Sequence, residues 1–319
     1  MRGIRAIIAL DLKRFFQSRV RLITGMIQPL LYLFVLGSGL GGMMRGPAAG
    51  MAAGSAPPAA MAAYASAANT SNQGAPAVTA TPPASTSSDA TAPAFDAAKA
   101  AQFAFIYSNF RGFIFPGVIS LTLLFATTFA AISIVFDRQI GFFKAILVSP
   151  VSRPAIALGK IVAGAIQGMV QGAILLCFLP LVGLYPGPIQ ILETIVAMFL
   201  AAMTFSALGV AMASRFTSTT VFPIMTSAVI MPMFFLSGAM FPLQTAPALM
   251  QKLANFDPVA YAVDLMRIAI LGDNYTAFFN PITGILVMVV FITVLTWSAV
   301  SVFSRGEEVD LTGGFNWRR

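Results

Sequence analysis

The chain has 319 residues, 58% of them hydrophobic and only 9% charged. A soluble domain carries roughly 25% charged residues, so this composition excludes a water-soluble globule and points to a membrane protein. With no His and a single Cys, Cys177, an internal disulfide and any His or multi-Cys metal site are ruled out.

A run of about 20 apolar residues is long enough to cross the hydrocarbon core of a bilayer. Six runs free of Asp, Glu, Lys and Arg occur, at 22–42, 113–136, 161–183, 194–213, 221–241 and 282–303. The expected fold class is therefore an all-α polytopic membrane protein with six transmembrane helices. Of the 19 Lys and Arg residues, only Arg45, Lys99, Arg111, Lys252 and Arg267 fall on the side opposite the N-terminus. The positive-inside rule then puts both termini in the cytoplasm. Membrane orientation accounts for the net charge of +8, with no need of a nucleic-acid partner.

Residues 1–21 read as an amphipathic interface helix. Ile4, Ile8, Leu12, Phe15, Phe16 and Val20 recur at helical spacing among Arg5, Lys13, Arg14, Arg19 and Arg21. Such a helix suits an orientation anchor and equally a docking surface for a cytoplasmic partner. Span 1 is expected at 22–42, with an apolar run longer than the 7–15 residues of a signal h-region. Residues 43–112 form an external insertion. Its part 46–98 is Ala, Pro, Ser, Thr and Gly with Asp89 and Asp96 as its only charges, too polar and small to fold around a core.

Span 2 covers 113–136, a cytoplasmic segment 137–157, and span 3 158–184. Span 3 carries Gly164, Gly168 and Gly172 four apart, with Gln167 and Gln171 on the adjoining stripe. Small residues at that interval let helix backbones approach closely, and Gln can bond across the contact. Tight packing within one subunit is the plainer reading, a substrate lining the sharper one. Cys177, within span 3, reads as a small apolar packing residue.

Span 4 is expected at 189–213, with Glu193 at its outer end, and span 5 at 221–241. Span 5 holds Pro223 and Pro232, which permit kinks, and Met225, Met231, Met233 and Phe234 beside them. Flexible Met-rich surfaces accommodate varied apolar shapes. These six residues are the candidate substrate path, against ordinary lipid-facing packing. Residues 242–280 read as two short amphipathic helices at or dipping into the outer surface, broken at Asp257–Pro258. Span 6 at 282–303 leads to a cytoplasmic tail, 304–319.

The sequence holds no G-x-x-x-x-G-K-[ST] string; "ALGKI" at 157–161 has Ile161 where the hydroxyl is needed. The spans lack the buried carboxylates and histidines of ion-coupled carriers. No acid–base or nucleophile constellation is present, so neither an enzyme nor a self-powered transporter is expected.

The segment "FDRQIGFFKAILVSPVSR" at 136–153 interrupts two spans with a short basic stretch. Asp137 reads as the N-cap of a helix over 138–148, stopped by Pro150 and Pro154, with Phe142, Phe143, Ile146 and Leu147 as an exposed ridge. An exposed aromatic ridge suits insertion into a groove on another protein.

This segment, with "FLSGAMFP" at 235–242 and "NFDPVAYAVDLMRIAILG" at 255–272, resembles the permeases of ABC-2 type transporters, nearest to the daunorubicin-resistance-like drug-efflux branch. The resemblance covers nearly all of the chain outside 46–98. It implies the transmembrane subunit of an exporter with no ATPase site of its own. A separate P-loop ATP-binding cassette subunit would bind ATP and Mg, and a second permease subunit would complete a homodimer or heterodimer in the membrane lipid of a prokaryotic cell. Carried over residue by residue, the ATPase-coupling handle is Asp137, Arg138, Gly141, Phe142, Phe143, Lys144, Leu147 and Pro150. The implied cargo is a lipophilic drug-like or lipid-like molecule. Polysaccharide or glycolipid precursors are the alternative cargo, and a non-transporting scaffold the alternative role. Where many relatives have Thr-Leu-Glu after the Gly, this chain has Phe142, Phe143 and Lys144, which alters charge pairing with the ATPase.

Overall fold

The computed structural model describes residues 2–18, 110–141, 152–216, 218–272 and 275–305, with Ile27 and Leu31. The chain divides into one unit of residues 1–38 with 111–319 and a second of 39–110, of which only Phe110 is described. Span 1 apart from Ile27 and Leu31, the insertion up to residue 109, residues 142–150 and the tail from residue 306 thus lie outside the described residues.

Every regular element among the described residues is helical. In chain order they are α1 (Arg2–Gln17), α2 (Phe110–Ala130), α3 (Ile132–Gln139), α4 (Arg153–Leu176), α5 (Leu179–Val182) and α6 (Pro188–Ala213). There follow α7 (Val221–Leu236), a 3-10 turn (Leu243–Thr245), α8 (Ala248–Ala254), α9 (Pro258–Leu271) and α10 (Pro281–Arg305). Four stretches are long and apolar enough to cross a membrane: Gly112–Gln139, Pro154–Leu176, Pro188–Ala213 and Pro281–Val302. The expected fifth span is shorter than its apolar run. Its helix ends at Leu236, and Gly238 turns the chain with φ 69° before Leu243.

The starts of the helices follow local chemistry. Pro188, Pro258 and Pro281 each occupy the first helical position, where a missing N–H costs nothing. Ahead of them, Asp257 Oδ1 accepts from the Val259 amide at 2.9 Å, and Asn280 Oδ1 accepts from that of Ile282 at 3.0 Å.

Helix α2 is the hub. Residues 112–124 are all buried, because α4, α6 and α9 surround them. Its contacts are close where glycines stand. A Cβ on Gly209 would lie 2.7 Å from the Thr128 Cα, and one on Gly117 would strike the Ala239 carbonyl. Backbone approaches this tight admit only hydrogen. Interhelical bonds reinforce them: Ser206 Oγ donates to the Ile161 carbonyl at 2.7 Å. Toward the end that carries α1, Ile134, Val135, Ile156, Ile161, Val210 and Phe222 form a common core.

Candidate functional site

At the α1 end, four charges, three of them buried, join three helices. Asp137 of α3 accepts from Arg14 of α1 on Oδ1 at 3.0 Å and from Lys160 of α4 on Oδ2 at 3.1 Å. Lys160 also reaches Asp11 of α1 at 3.0 Å. The side chains of Lys160, Asp11 and Asp137 are 4%, 6% and 2% exposed, while that of Arg14 is 41% exposed. Buried charges persist where each has an opposite partner, and here two carboxylates meet two cations.

The sequence reading of Asp137 as a helix N-cap is therefore corrected. Asp137 lies inside α3, which runs from Ile132 to Gln139, and its carboxylate meets two cations. The helix ends at Gln139, and just past it the chain turns at Gly141, whose φ of 73° is open to glycine at little cost. Arg138 turns inward too, donating to the Ser214 carbonyl at 2.9 Å. Of the proposed handle, Phe142, Phe143, Lys144, Leu147 and Pro150 lie outside the described residues, and Gly141 is exposed.

The glycine stripe of α4 points at α2 and α6. A Cβ at Gly164 would strike Ser206 Oγ, one at Gly168 the Thr127 methyl, and one at Gly172 the Met198 methyl. Gln167 and Gln171 are buried beside it, and Gln171 Oε1 has no hydrogen-bond partner among the described residues. Cys177, expected to be packed, is instead exposed at the C-terminal cap of α4, because the helix ends at Leu176 and none of the described residues covers it.

Helix α7 divides the candidate path. Phe222, Thr226, Ile230 and Phe234, four apart, form its buried stripe. Met225, Met231 and Pro232 face outward, and Pro223 and Met233 are half-buried. Pro223 sits in the first turn, where its N–H would have had no intrahelical acceptor, so only Pro232 interrupts the helix ladder.

At the opposite end, α9, expected to lie at the outer surface or dip into it, is enclosed by other helices. All its residues but Ile268 are buried, since it packs against α2, α6, α7 and α10. Two charges one turn apart organise it. Arg267 donates through Nη2 to the carbonyls of Gly238 and Ala239 at 2.8 and 2.9 Å, and its guanidinium lies 3.8 Å from the Phe113 ring centroid. Asp264 accepts from Tyr275 Oη at 2.6 Å and from the Phe279 and Phe278 amides at 2.8 and 3.2 Å. Burial raises the pKa of the Asp264 carboxyl and lowers that of the Arg267 guanidinium, and in each case the hydrogen bonds and opposite charges oppose the shift. Burial also pushes Asp257 up to about 7, against its bond from Val259.

The charge quartet escaped the sequence reading because its members pair across separations of up to 149 residues, for Lys160 and Asp11, while Asp264 and Arg267 meet hydrogen-bond partners 11–29 residues away in turns outside their own helix. One signal was available: charges in an apolar helical stretch, as at Asp264 and Arg267, ask for buried partners.

Residues 2–271 match the family model described as ABC-2 type transporter. "Nodulation protein J" of Rhizobium leguminosarum bv. viciae is 28% identical over 167 residues, covering 52% of this chain and 64% of that protein. The "Inner membrane transport permease YadH" of Escherichia coli K12 is 24% identical over 204 residues, 60% of this chain and 75% of its own. The "Putative transport permease ycf38" of Cyanophora paradoxa is 21% identical over 162 residues, 50% and 56% respectively. The match to the nodulation proteins thus spans less than two thirds of their length. The chain belongs to the ABC-2 type transporter family.

Proposed function

We propose that this chain is the membrane-spanning permease subunit of an ATP-driven exporter in a prokaryotic cell membrane. A separate P-loop subunit binds ATP and Mg and supplies the work, and a second permease subunit completes the pathway. The observation that carries this reading is family membership across residues 2–271 in a sequence without a P-loop string. The segment 142–150, with Phe142 and Phe143, is where the ATPase docks, on the cytoplasmic side that the basic residues mark.

The cargo is lipophilic, drug-like or lipid-like, moved from the cytoplasm or inner leaflet. What supports this is the apolar outward face of α7, where Met225, Met231 and Phe235 are exposed at 44%, 37% and 54%. Asp137, the buried carboxylate near the end of one candidate span, is neutralised by Arg14 and Lys160, which argues against an ion-driven alternative.

The test is to purify the tagged full-length chain from its host with bound subunits, and to assay inverted vesicles with ATP and a panel of lipophilic dyes and a fluorescent phospholipid. ATP-dependent uptake of a dye or of the lipid, with hydrolysis only when a second subunit is present, is the expected result. Saturable ATP hydrolysis by the chain alone, or no co-purifying ATPase, would sink the proposal.

A further inference from the structure

Three consecutive residues at the end of α3 each hold a different neighbour. Asp137 holds α1 through Arg14 and α4 through Lys160. Arg138 holds the Ser214 carbonyl just beyond α6. Gln139 Oε1 accepts from Thr219 Oγ1 at 2.9 Å, just ahead of α7. Two residues later comes Gly141, with φ 73° and nothing within 4 Å of where a Cβ would stand. The helix end is fastened on every side, and the chain beyond it enters the segment 142–150 through an unobstructed glycine joint.

The chemistry of the fastening also matters. A buried ion pair often adds little net stability over an apolar packing of the same shape, but it dictates which partners meet. Lys160 is shared by two carboxylates on two different helices, so its ammonium fixes α1, α3 and α4 relative to one another. Removing it would leave Asp11 and Asp137 facing each other without their common counter-ion.

We propose that Asp137, Lys160 and Asp11 form a transmission junction. Force entering by the segment 142–150 reaches α3 through Gly141, and Lys160 passes it to α4, while Arg14 and Asp11 carry α1 along. Lys160 is thus a positioning residue for transport, and Asp137 and Arg138 act on the permease's own helices rather than on the ATPase. This rests on the permease reading above. Helix α4 is one continuous element from Arg153 to Leu176, so displacement at Lys160 is felt at Cys177 just past its far end.

Cys177 is exposed and is the chain's only cysteine, which makes it the reporter. The full-length chain with its co-purified ATPase subunit is labelled there with an environment-sensitive maleimide dye in lipid nanodiscs. Mg-ATP should change the dye signal. In Asp11→Asn with Lys160→Met, one charge of each sign is lost and Asp137 keeps Arg14. The ATP-induced change should then fall at least about fivefold, with the ATPase subunit still bound and hydrolysing. Lys160→Arg should preserve the change. If the Met form is recovered poorly, Asp11→Asn with Lys160→Gln retains polarity and replaces it. An undiminished signal in the double variant overturns the junction, as does an unaltered complex that binds ATP without any dye response. Absence of any co-purifying ATPase overturns the permease reading, and the junction with it.

Discussion

The Arg267 guanidinium stacks on the Phe113 ring at 3.8 Å while capping the carbonyls of Gly238 and Ala239, so one buried side chain joins the start of α2 to the turn after α7. Arg267→Ala strands two buried acceptors and removes the stack, and should cost about 3 kcal/mol or more. Arg267→Lys keeps the charge without the planar fork and should recover only part of it. Thermal unfolding of the detergent-solubilised protein measures both.

Glycine substitutions should rank by what the new methyl meets. Gly117→Ala and Gly209→Ala press on backbone atoms of Ala239 and Thr128, which cannot rotate away. Gly168→Ala meets the Thr127 methyl, a side-chain atom that can give way. The first two should destabilise by about 1–3 kcal/mol, more than Gly168→Ala, whereas Gly168→Leu should force α4 from α2 and cost at least as much. Equal melting profiles across the set would refute the ranking.

The pH dependence should carry the mark of Asp257. Its carboxyl titrates near 7 in the fold against an ordinary value of 3.8, so the folded state holds the extra proton between those limits. Stability contributed by this group is full below about pH 3.8 and lost as pH rises toward 7. Asp257→Asn keeps the cap on Val259 and cannot ionise. It should therefore gain on the unaltered protein by about 1 kcal/mol per pH unit across that window. Parallel stability curves for the two proteins would contradict this.

Phe142→Ala with Phe143→Ala should leave insertion and folding intact yet abolish retention of the ATPase. Each buried aromatic anchor is worth about 2 kcal/mol, so losing both weakens docking roughly a thousandfold. A pull-down with the double variant decides: wild-type retention would mean that the ridge lies against lipid.

Four of the six expected spans, the second, third, fourth and sixth, were legible in the sequence because hydrocarbon imposes a length and forbids charge, and both are visible locally. The glycine spacing of α4 was legible for a related reason, since close approach needs small residues at one helical interval. Two features were not. The early end of α7 at Leu236 depends on Gly238 adopting a positive φ above Leu243, near the end of an uninterrupted apolar run. The partners of Lys160 and Arg267 depend on which helices meet, and residue order does not encode that. Asp137 shows the consequence: its neighbours in sequence suggest a cap, and its neighbours in space make it an ion-pair centre.

The window of Pro281–Val302 is 11% buried, against 61–67% for the other three candidate spans. What little α10 turns inward includes Gly284, Met288 and Ala299. Selection should therefore act on it unevenly. Along most of its surface one apolar side chain is as good as another, so its residues are free to drift among Ile, Leu, Val and Phe over evolutionary time. Saturation mutagenesis should find a helix tolerant of apolar exchange except along that narrow seam, whereas the 201–213 half of α6, where every residue is buried or half-buried, should resist exchange.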